Sequence, residues 1–331
     1  MTEEKIKTRS SRYHEEIEIE DVEDNPSRSK EIKKEIQQNK QKTTKETDSK
    51  KSHPILNKII LYTIIIFITL IAYSTLIEPN FLFIKEYKIE SNQLPNSFHG
   101  LKIVHFSDVH YGTTINKKQL TKIVNKINSL KPDIVFFTGN LLDENVEITK
   151  TTKEEVISLL NKIECKLYKY AIYGNEDLDN KDFEDIINKT EFKLLDNKST
   201  LLYYKDSNPI IITGYNPIIS SPSYEISNEE IDNLNKKDLY NIVLTHEPDS
   251  LYNFSYQNPN LVLSGHSLGG IIDLKVVKPL FLQENSKRYF EDYQKVKNTD
   301  LYISNGVGTN SLNMRLFNPP SINLYRLYKT K

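Results

Sequence analysis

LKIVHFSDVH, residues Leu101 to His110, carries three signals in close succession. The apolar run Leu101–Phe106 is short and rich in branched residues, the character of a buried strand. A small residue, Ser107, ends it. A carboxylate and an imidazole then follow two positions apart, Asp108 and His110. Both can face one cation at the carboxyl end of the strand, where open α/β sheets keep their ligands. Taken alone, the same residues also suit an aspartate that caps the next helix beside a solvated histidine. Recurrence of the pattern along the chain separates the two readings.

Moving outward from this stretch, strands and helices alternate. A helix is expected near Lys117–Leu130, where Leu120, Ile123, Val124, Ile127 and Leu130 fall on one face. Asp133–Thr138 reads as a strand ending in Gly139-Asn140, and Thr152–Ile163 as a helix. Tyr168–Tyr173 is a strand ending in Gly174-Asn175-Glu176-Asp177, and Lys181–Asn188 a short helix. Strands are then expected at Thr200–Tyr204, Ile210–Thr213, Tyr240–Thr245 and Asn260–Leu263, with a helix around Asn228–Leu234. The last two of these strands run into His246 and into Ser264-Gly265-His266. Late strands fall at Leu301–Ser304 and Ile322–Tyr328. Alternation argues for a sheet covered by helices, and the strand-rich second half for a second sheet packed on the first.

The chain has 331 residues, enough for one large domain plus appendages, and a formal net charge of -1. No global field therefore argues for nucleic acid, and the tyrosines lack the interleaved basic residues that base stacking would need. A single cysteine, Cys165, excludes an internal disulfide and a paired-cysteine zinc site. It and His105, inside the first strand, read as core residues, and His99 as exposed. All ten glycines lie at or after Gly100, several beside the polar motifs.

Upstream, residues 1–54 are polar, with an acidic block at Glu15–Asp24 and a lysine-rich stretch from Arg28 to Lys51. Such composition buries too little surface to offset ordering entropy, so a disordered tail is expected. Ile59–Ile77 is nineteen residues without a charge. At ~1.5 Å per residue a helix of that length spans about 28 Å, close to the ~30 Å hydrocarbon core. The expected partner of this segment is the lipid bilayer. Lys40, Lys42, Lys45, Lys50, Lys51 and Lys58 precede it, and only Lys85 and Lys88 follow within twenty residues. The positive-inside rule then predicts a single-pass cell-membrane protein with a cytoplasmic N-terminus and everything after Glu78 outside. Residues 78–100 read as a juxtamembrane connector, with an edge strand at Tyr87–Glu90, and residues 101–331 as the main domain.

Five strand ends thus carry candidates: Asp108 and His110, Asn140, Asn175 and Glu176, His246, and His266. Imidazole and carboxylate groups suit zinc, manganese or iron. In order and placement these residues resemble the calcineurin-like metallophosphoesterases, in particular a bacterial branch with an N-terminal membrane segment. The motifs of that family, DxH, GDxxD, GNH[DE], a His followed by x-Pro-Asp, and GHxHGG, correspond to five stretches of this chain. They are Asp108-Val109-His110, Gly139-Asn140-Leu141-Leu142-Asp143, Gly174-Asn175-Glu176-Asp177, His246-Glu247-Pro248-Asp249 and Gly265-His266-Ser267-Leu268-Gly269-Gly270. Asn305-Gly306-Val307-Gly308-Thr309 and Arg315-Leu316-Phe317-Asn318-Pro319-Pro320 also fit, and the likeness extends from about Glu78 to Leu327.

The resemblance implies an α/β (α+β) two-sheet sandwich flanked by helices, preceded by one transmembrane helix and the tail. It also implies two divalent metals at the strand ends and hydrolysis of a phosphoester. One metal would take Asp108, His110, position 140 and position 268; the other position 140, Asn175, His246 and His266. Three positions depart from the family pattern. Asn140 stands where the bridging aspartate belongs, Leu268 where the last histidine belongs, and Glu176 where a histidine contacts the phosphate. An amide holds two dications together poorly, leucine cannot ligate, and Glu176 opposes a phosphate. The sequence therefore predicts a degenerate site holding one or two ions or none, in a weakened hydrolase or a pseudoenzyme. The alternative is a catalytically silent protein that uses the same cleft to bind a phosphorylated ligand or a protein partner. Glu176 turned inward could act as a replacement carboxylate.

Overall fold

The computed structural model describes residues 54–144, 146–217, 239–310 and 312–331. The expected tail and the helix expected around residues 228–234 lie outside them. The chain forms two compact units, one ending at Ile65 and one spanning Ile66–Lys331. Helix α1, Pro54–Ala72, continues through a π-turn, Tyr73–Ile77, and a 3-10 turn, Glu78–Asn80. Its side chains from residue 54 to 71 are exposed although nearly all are apolar.

From Phe83 onward the elements follow the predicted alternation. They are β1 (Phe83–Ser91), β2 (Lys102–Phe106), α2 (Lys117–Ser129), β3 (Ile134–Phe137), α3 (Lys150–Leu160), β4 (Tyr168–Ala171), α4 (Lys181–Ile187) and β5 (Phe192–Leu194). The second half adds β6 (Lys198–Leu202), β7 (Ile210–Tyr215), β8 (Asn241–Thr245), β9 (Leu261–Ser264), β10 (Tyr293–Val296), β11 (Thr299–Ile303) and β12 (Ser321–Lys329). One six-stranded sheet has the order β1-β12-β2-β3-β4-β5, the other β10-β11-β9-β8-β7-β6. Both are mixed: β2 to β5 run parallel while β12 opposes β2, and β11, β9, β8 and β7 run parallel between antiparallel edges β10 and β6.

The period-two side-chain alternation builds the layers. In β2 and β3, Ile103, Ile134 and Phe136 point to a core shared with Ile242 and Leu244 of β8 and Leu261 and Leu263 of β9. Val104, Phe106, Val135 and Phe137 point the other way, onto Ile123, Val124 and Ile127 of α2 and Val156, Leu159 and Leu160 of α3. On the far face of the second sheet, Val243 and Val262 pack with Leu251 and Phe254. Helix α2 begins on a capping box: Asn116 accepts from the Gln119 N–H, and the Gln119 side chain accepts from the Asn116 N–H.

Three elements differ from the sequence reading. The stretch read as a connector holds nine-residue β1, the edge of the first sheet, paired in parallel with β12. Its side chains alternate weakly because only Ile89 is fully buried, so its length was hard to see. Strands β5 and β10, of three and four residues, are too short to show a period. His105 and Cys165 lie against the core and His99 is exposed, as expected.

Candidate functional site

Each chemistry-bearing loop follows the carboxyl end of β2, β3, β4, β8 or β9, so the two sheets deliver all five to one rim. Backbone hydrogen bonds stitch the loops together. Gly139 C=O accepts from Asp108 N–H at 2.9 Å, and Asn140 C=O from Val109 and His110 N–H at 2.8 and 3.1 Å. Asp177 joins the β3 and β4 loops by accepting from the N–H groups of Asn140 (2.6 Å), Leu141 (3.0 Å) and Gly174 (2.8 Å). Burial outweighs those donors and pushes its pKa up to about 7. Close approach also explains two glycines. A side chain on Gly139, whose φ is +93°, would run into the Gly174 backbone, and one on Gly265 into Ser107 Oγ.

Five site positions hold non-glycine residues in the left-handed region: Asp108, His110, Asn140, His266 and Leu268. Such conformations cost roughly 1–2 kcal/mol each and persist where surrounding structure dictates them, commonly at functional sites.

The structure brings the predicted residues together. Asp108, His110, Asn140, His246 and His266 are buried, while Asn175 is exposed. Asp108 Oδ2 accepts from Ser107 Oγ (2.5 Å) and His266 N–H (3.0 Å). Its other oxygen, Oδ1, is buried without a hydrogen-bond partner. His110 Nε2 and His246 Nε2 stand 3.9 and 3.8 Å from that oxygen, too far for hydrogen bonds.

Second contacts settle how each imidazole is turned. His246 Nδ1 donates to the Thr138 carbonyl at 2.5 Å. Burial lowers its pKa to about 4, so the ring is neutral and Nε2 presents a lone pair. That lone pair faces Asn175 Oδ1 at 3.0 Å. The Asn175 atom is an oxygen because Asn140 Nδ2 donates to it at 3.2 Å, and Asn140 is itself oriented by Glu176 N–H donating to its Oδ1 at 3.1 Å. Two lone pairs 3.0 Å apart repel unless a positive charge lies between them. His266 Nε2 donates to the Glu284 carbonyl at 2.6 Å, which leaves Nδ1 as its acceptor.

Metal–ligand bonds of ~2.0–2.2 Å place neighbouring donors roughly 3–3.5 Å apart. Asp108 Oδ1, His246 Nε2 and Asn175 Oδ1 could close on one divalent cation with small shifts, with His110 Nε2 beside them. Among the described residues, no three His, Cys, Asp or Glu groups already form a metal cage. Positions 140 and 268 offer different surroundings. The Asn140 amide is engaged at both ends, and Leu268 buries its side chain with its carbonyl held by Arg315 Nη1 (2.6 Å) and Asn318 Nδ2 (2.5 Å).

The Glu176 side chain lies against His110. Its Oε2 lies 3.1 Å from His110 Nδ1, an ion pair when that ring is protonated, and its Oε1 accepts from Asn310 Nδ2 at 3.1 Å. Burial works against a charged His110, but the carboxylates of Glu176, Asp108 and Asp143 outweigh it and hold the pKa above its ordinary value. Sequence reasoning assigned no role to Ser107, Thr138, Asn310 or Arg315. Arg315 was visible in a quoted motif, but nothing local indicated that its guanidinium would be buried, donating to Leu268, Asn305 and Gly308 carbonyls at 2.6, 2.7 and 2.6 Å.

The profile of the calcineurin-like phosphoesterase family matches residues 101–270. This chain belongs to that family. It is 30% identical over 263 residues to the uncharacterized metallophosphoesterase YkuE of Bacillus subtilis, covering 78% of this chain and 90% of the relative. It is 26% identical over 308 residues to the UDP-2,3-diacylglucosamine pyrophosphatase LpxG of Chlamydia trachomatis, covering 76% and 90%. A Danio rerio transmembrane protein with metallophosphoesterase domain is 26% identical over 243 residues, 70% of this chain and 54% of the relative. Calcineurin-like phosphoesterases use divalent metals and act on phosphoesters, and α1 is long and apolar enough to cross a membrane.

Proposed function

We propose that this chain is a single-pass membrane protein whose phosphoesterase domain seats one divalent cation at Asp108, His246 and Asn175 and binds a phosphoester there. In this reading the two-metal hydrolysis of the family is curtailed. The observation that carries it is the pair of apposed lone pairs on His246 and Asn175 beside the unpartnered Asp108 oxygen, with the neighbouring Asn140 amide already engaged. His110 and His266 complete the ligand group on the side of the cleft where they lie.

The accompanying division of the chain is a charged tail, residues 1–54, a span at Ile59–Ile77, and a phosphoesterase domain that adds β1 to residues 101–331. In this reading the tail is cytoplasmic and the domain lies outside, an orientation that the lysines before the span support. The Danio rerio relative is named as a transmembrane protein, and the Chlamydia relative for a pyrophosphatase reaction on a diacylated nucleotide sugar. The first name supports the membrane span, and the second a phosphate-bearing substrate that carries acyl chains.

A bound divalent cation, manganese, iron or zinc, supplies charge that polarises a phosphoryl oxygen. The chain's own residues do the rest. The Thr138 carbonyl fixes the His246 ring, and Ser107 with the His266 N–H holds one Asp108 oxygen so that the other faces inward. Glu176 cannot serve as the phosphate-facing imidazole of the family. Its oxygens are directed at His110 and Asn310, and its charge opposes an incoming phosphate.

The test uses the full chain, purified in detergent without chelators. Metal content and manganese-dependent hydrolysis of bis(p-nitrophenyl) phosphate are measured for the wild type and for the combined Asn140→Asp, Glu176→His, Leu268→His variant. The wild type should hold one metal and turn over little. The variant should hold two and hydrolyse ~100-fold faster or more, the scale that general acid–base groups contribute. Two tightly held metals and equal turnover in the wild type would sink the reading. A wild type that keeps its metal and turns nothing over is a binding protein on the same fold.

A further inference from the structure

Directly after the last site motif, residues 271–281 (IIDLKVVKPLF) form a hairpin closed by a bridge between Ile272 and Leu280. Its tip is unusual for a water-facing loop. Val276 is 84% exposed, Phe281 67% and Val277 55%, with Leu274 and Leu280 exposed as well. Single exposed apolar residues are ordinary, but a contiguous set marks an interaction surface. The two lysines of the hairpin flank this apolar set and are themselves exposed. Lys275 pairs with Asp273, and Lys278 Nζ donates to the Lys287 carbonyl at 2.7 Å and lies over the Phe290 ring. The tip therefore combines a contiguous exposed apolar set with two basic side chains.

The root of the hairpin leads to the end of the apolar helix. Ile272 also bridges Leu316. The segment that follows is fastened to the residues leaving α1: Arg315 N–H donates to the Ser74 carbonyl (2.8 Å), Phe317 N–H to Glu78 Oε2 (2.9 Å) and Asn318 N–H to Glu78 Oε1 (2.6 Å). Ser74 and Glu78 are buried in these contacts. Phe317, on the same segment, is half exposed. The apolar tip and the point where the apolar run stops are thus held to one short piece of chain.

We infer that the tip of this hairpin, Leu274 to Phe281, is a second membrane contact that inserts into the interfacial region of the bilayer spanned by α1. The inference rests on reading α1 as a membrane span. Continuity with the end of that span selects lipid as the occupant rather than a second protein. Burying the tip in the interface removes apolar surface from water, and the lysine stems beside it suit the headgroup level. A pocket at the hairpin root mixes apolar Leu268, Ile271 and Met314 with polar Gln283, Thr309 and Asn310, and Asn310 also donates to Glu176 of the site. A phosphoester carried on a lipid could thus keep its apolar part near the membrane while its phosphate reaches the cleft.

The experiment reconstitutes the full chain in phosphatidylcholine–phosphatidylglycerol vesicles. In a Cys165→Ser background, an environment-sensitive fluorophore is attached at Val276→Cys, at Phe67→Cys in the helix, or at Asp206→Cys in an exposed turn of the domain. Shallow and deep nitroxide lipids report lipid contact, and iodide reports water. The Val276 label should shift to the blue, lose intensity to the shallow nitroxide and resist iodide, while the Asp206 label responds to iodide alone. A Val276 label quenched by iodide alone overturns the inference, as does one shielded from both quenchers, which would mean that protein covers the tip. The Phe67 label, quenched by the deep nitroxide if α1 spans, tests the membrane reading separately.

Discussion

Asp108 and Leu268 both flank Gly306, and both adopt a left-handed backbone conformation, yet their surroundings are opposites. Around Leu268 nearly every polar atom is paired. Its carbonyl takes two donors, Arg315 also serves Asn305 and Gly308, Asn318 Nδ2 also reaches the Gly270 carbonyl, and only Arg315 Nε lacks a partner. Around Asp108 and His246 the polar atoms are ordered but incompletely paired, with one orphaned carboxylate oxygen and two lone pairs face to face. Buried polar groups are normally satisfied, so a saturated shell reads as structure and an unsatisfied cluster as a seat for something else. At Leu268 the strained backbone survives without a donor side chain, and the surrounding hydrogen bonds explain why it can.

The sharpest way to break this comparison is to unpair the saturated shell. Arg315→Met should leave several buried carbonyls short of a donor and cost roughly 3–5 kcal/mol in denaturant unfolding of the full chain. A loss below about 1 kcal/mol would mean the shell is not structural. Next in size is an acid effect beneath the donor cluster. His105 is buried between Thr138 Oγ1 (2.8 Å) and Tyr325 Oη (3.3 Å), and burial lowers its pKa from 6.5 to about 3. The unfolded chain takes up a proton as pH falls below 6.5 while the folded chain does not, so this contribution is full above 6.5 and is lost on the way down to about 3. His105→Gln should flatten that acid limb by a few kcal/mol without abolishing it, because His246 titrates low for the same reason.

Asn140→Asp probes the boundary between the two shells. It removes the donor to Asn175 and adds a charge, so chelated protein should lose about 1–2 kcal/mol. Added manganese should stabilise the variant more than the wild type, read as the shift in melting temperature. The smallest effect belongs to Glu176→Gln. His110 should lose the charge that raises its pKa, visible as a lower titration midpoint by NMR, with stability changing by about 1 kcal/mol or less.

Much of the frame was legible because strand period and strand ends are local properties. Val104, Phe106, Val135 and Phe137 announce their buried faces through neighbours one or two residues away. The motif residues Asp108, Asn140, Asn175, His246 and His266 were locatable for the same reason, each following an apolar run. The orientation of Asn140, the neutral ring of His246 and the contact between Glu176 and His110 were not legible. Each depends on a partner on another strand loop. The hairpin at residues 271–281 drew no notice in sequence because Val276 and Val277 look like any pair of strand residues until their exposure is known.

By itself, the sequence determined that a nineteen-residue uncharged segment precedes a two-sheet α/β domain, and that five strand ends carry metal-type residues with three departures from the family pattern. These are matters of period, length and residue type, set by backbone sterics and hydrophobicity over a few neighbours. Only the tertiary structure decided which polar atoms are satisfied. His246 finds the Thr138 carbonyl across 108 residues, and Glu78 finds Asn318 across 240. Such pairings are chosen by how the sheets pack, because a buried donor must take whichever acceptor the fold brings within reach.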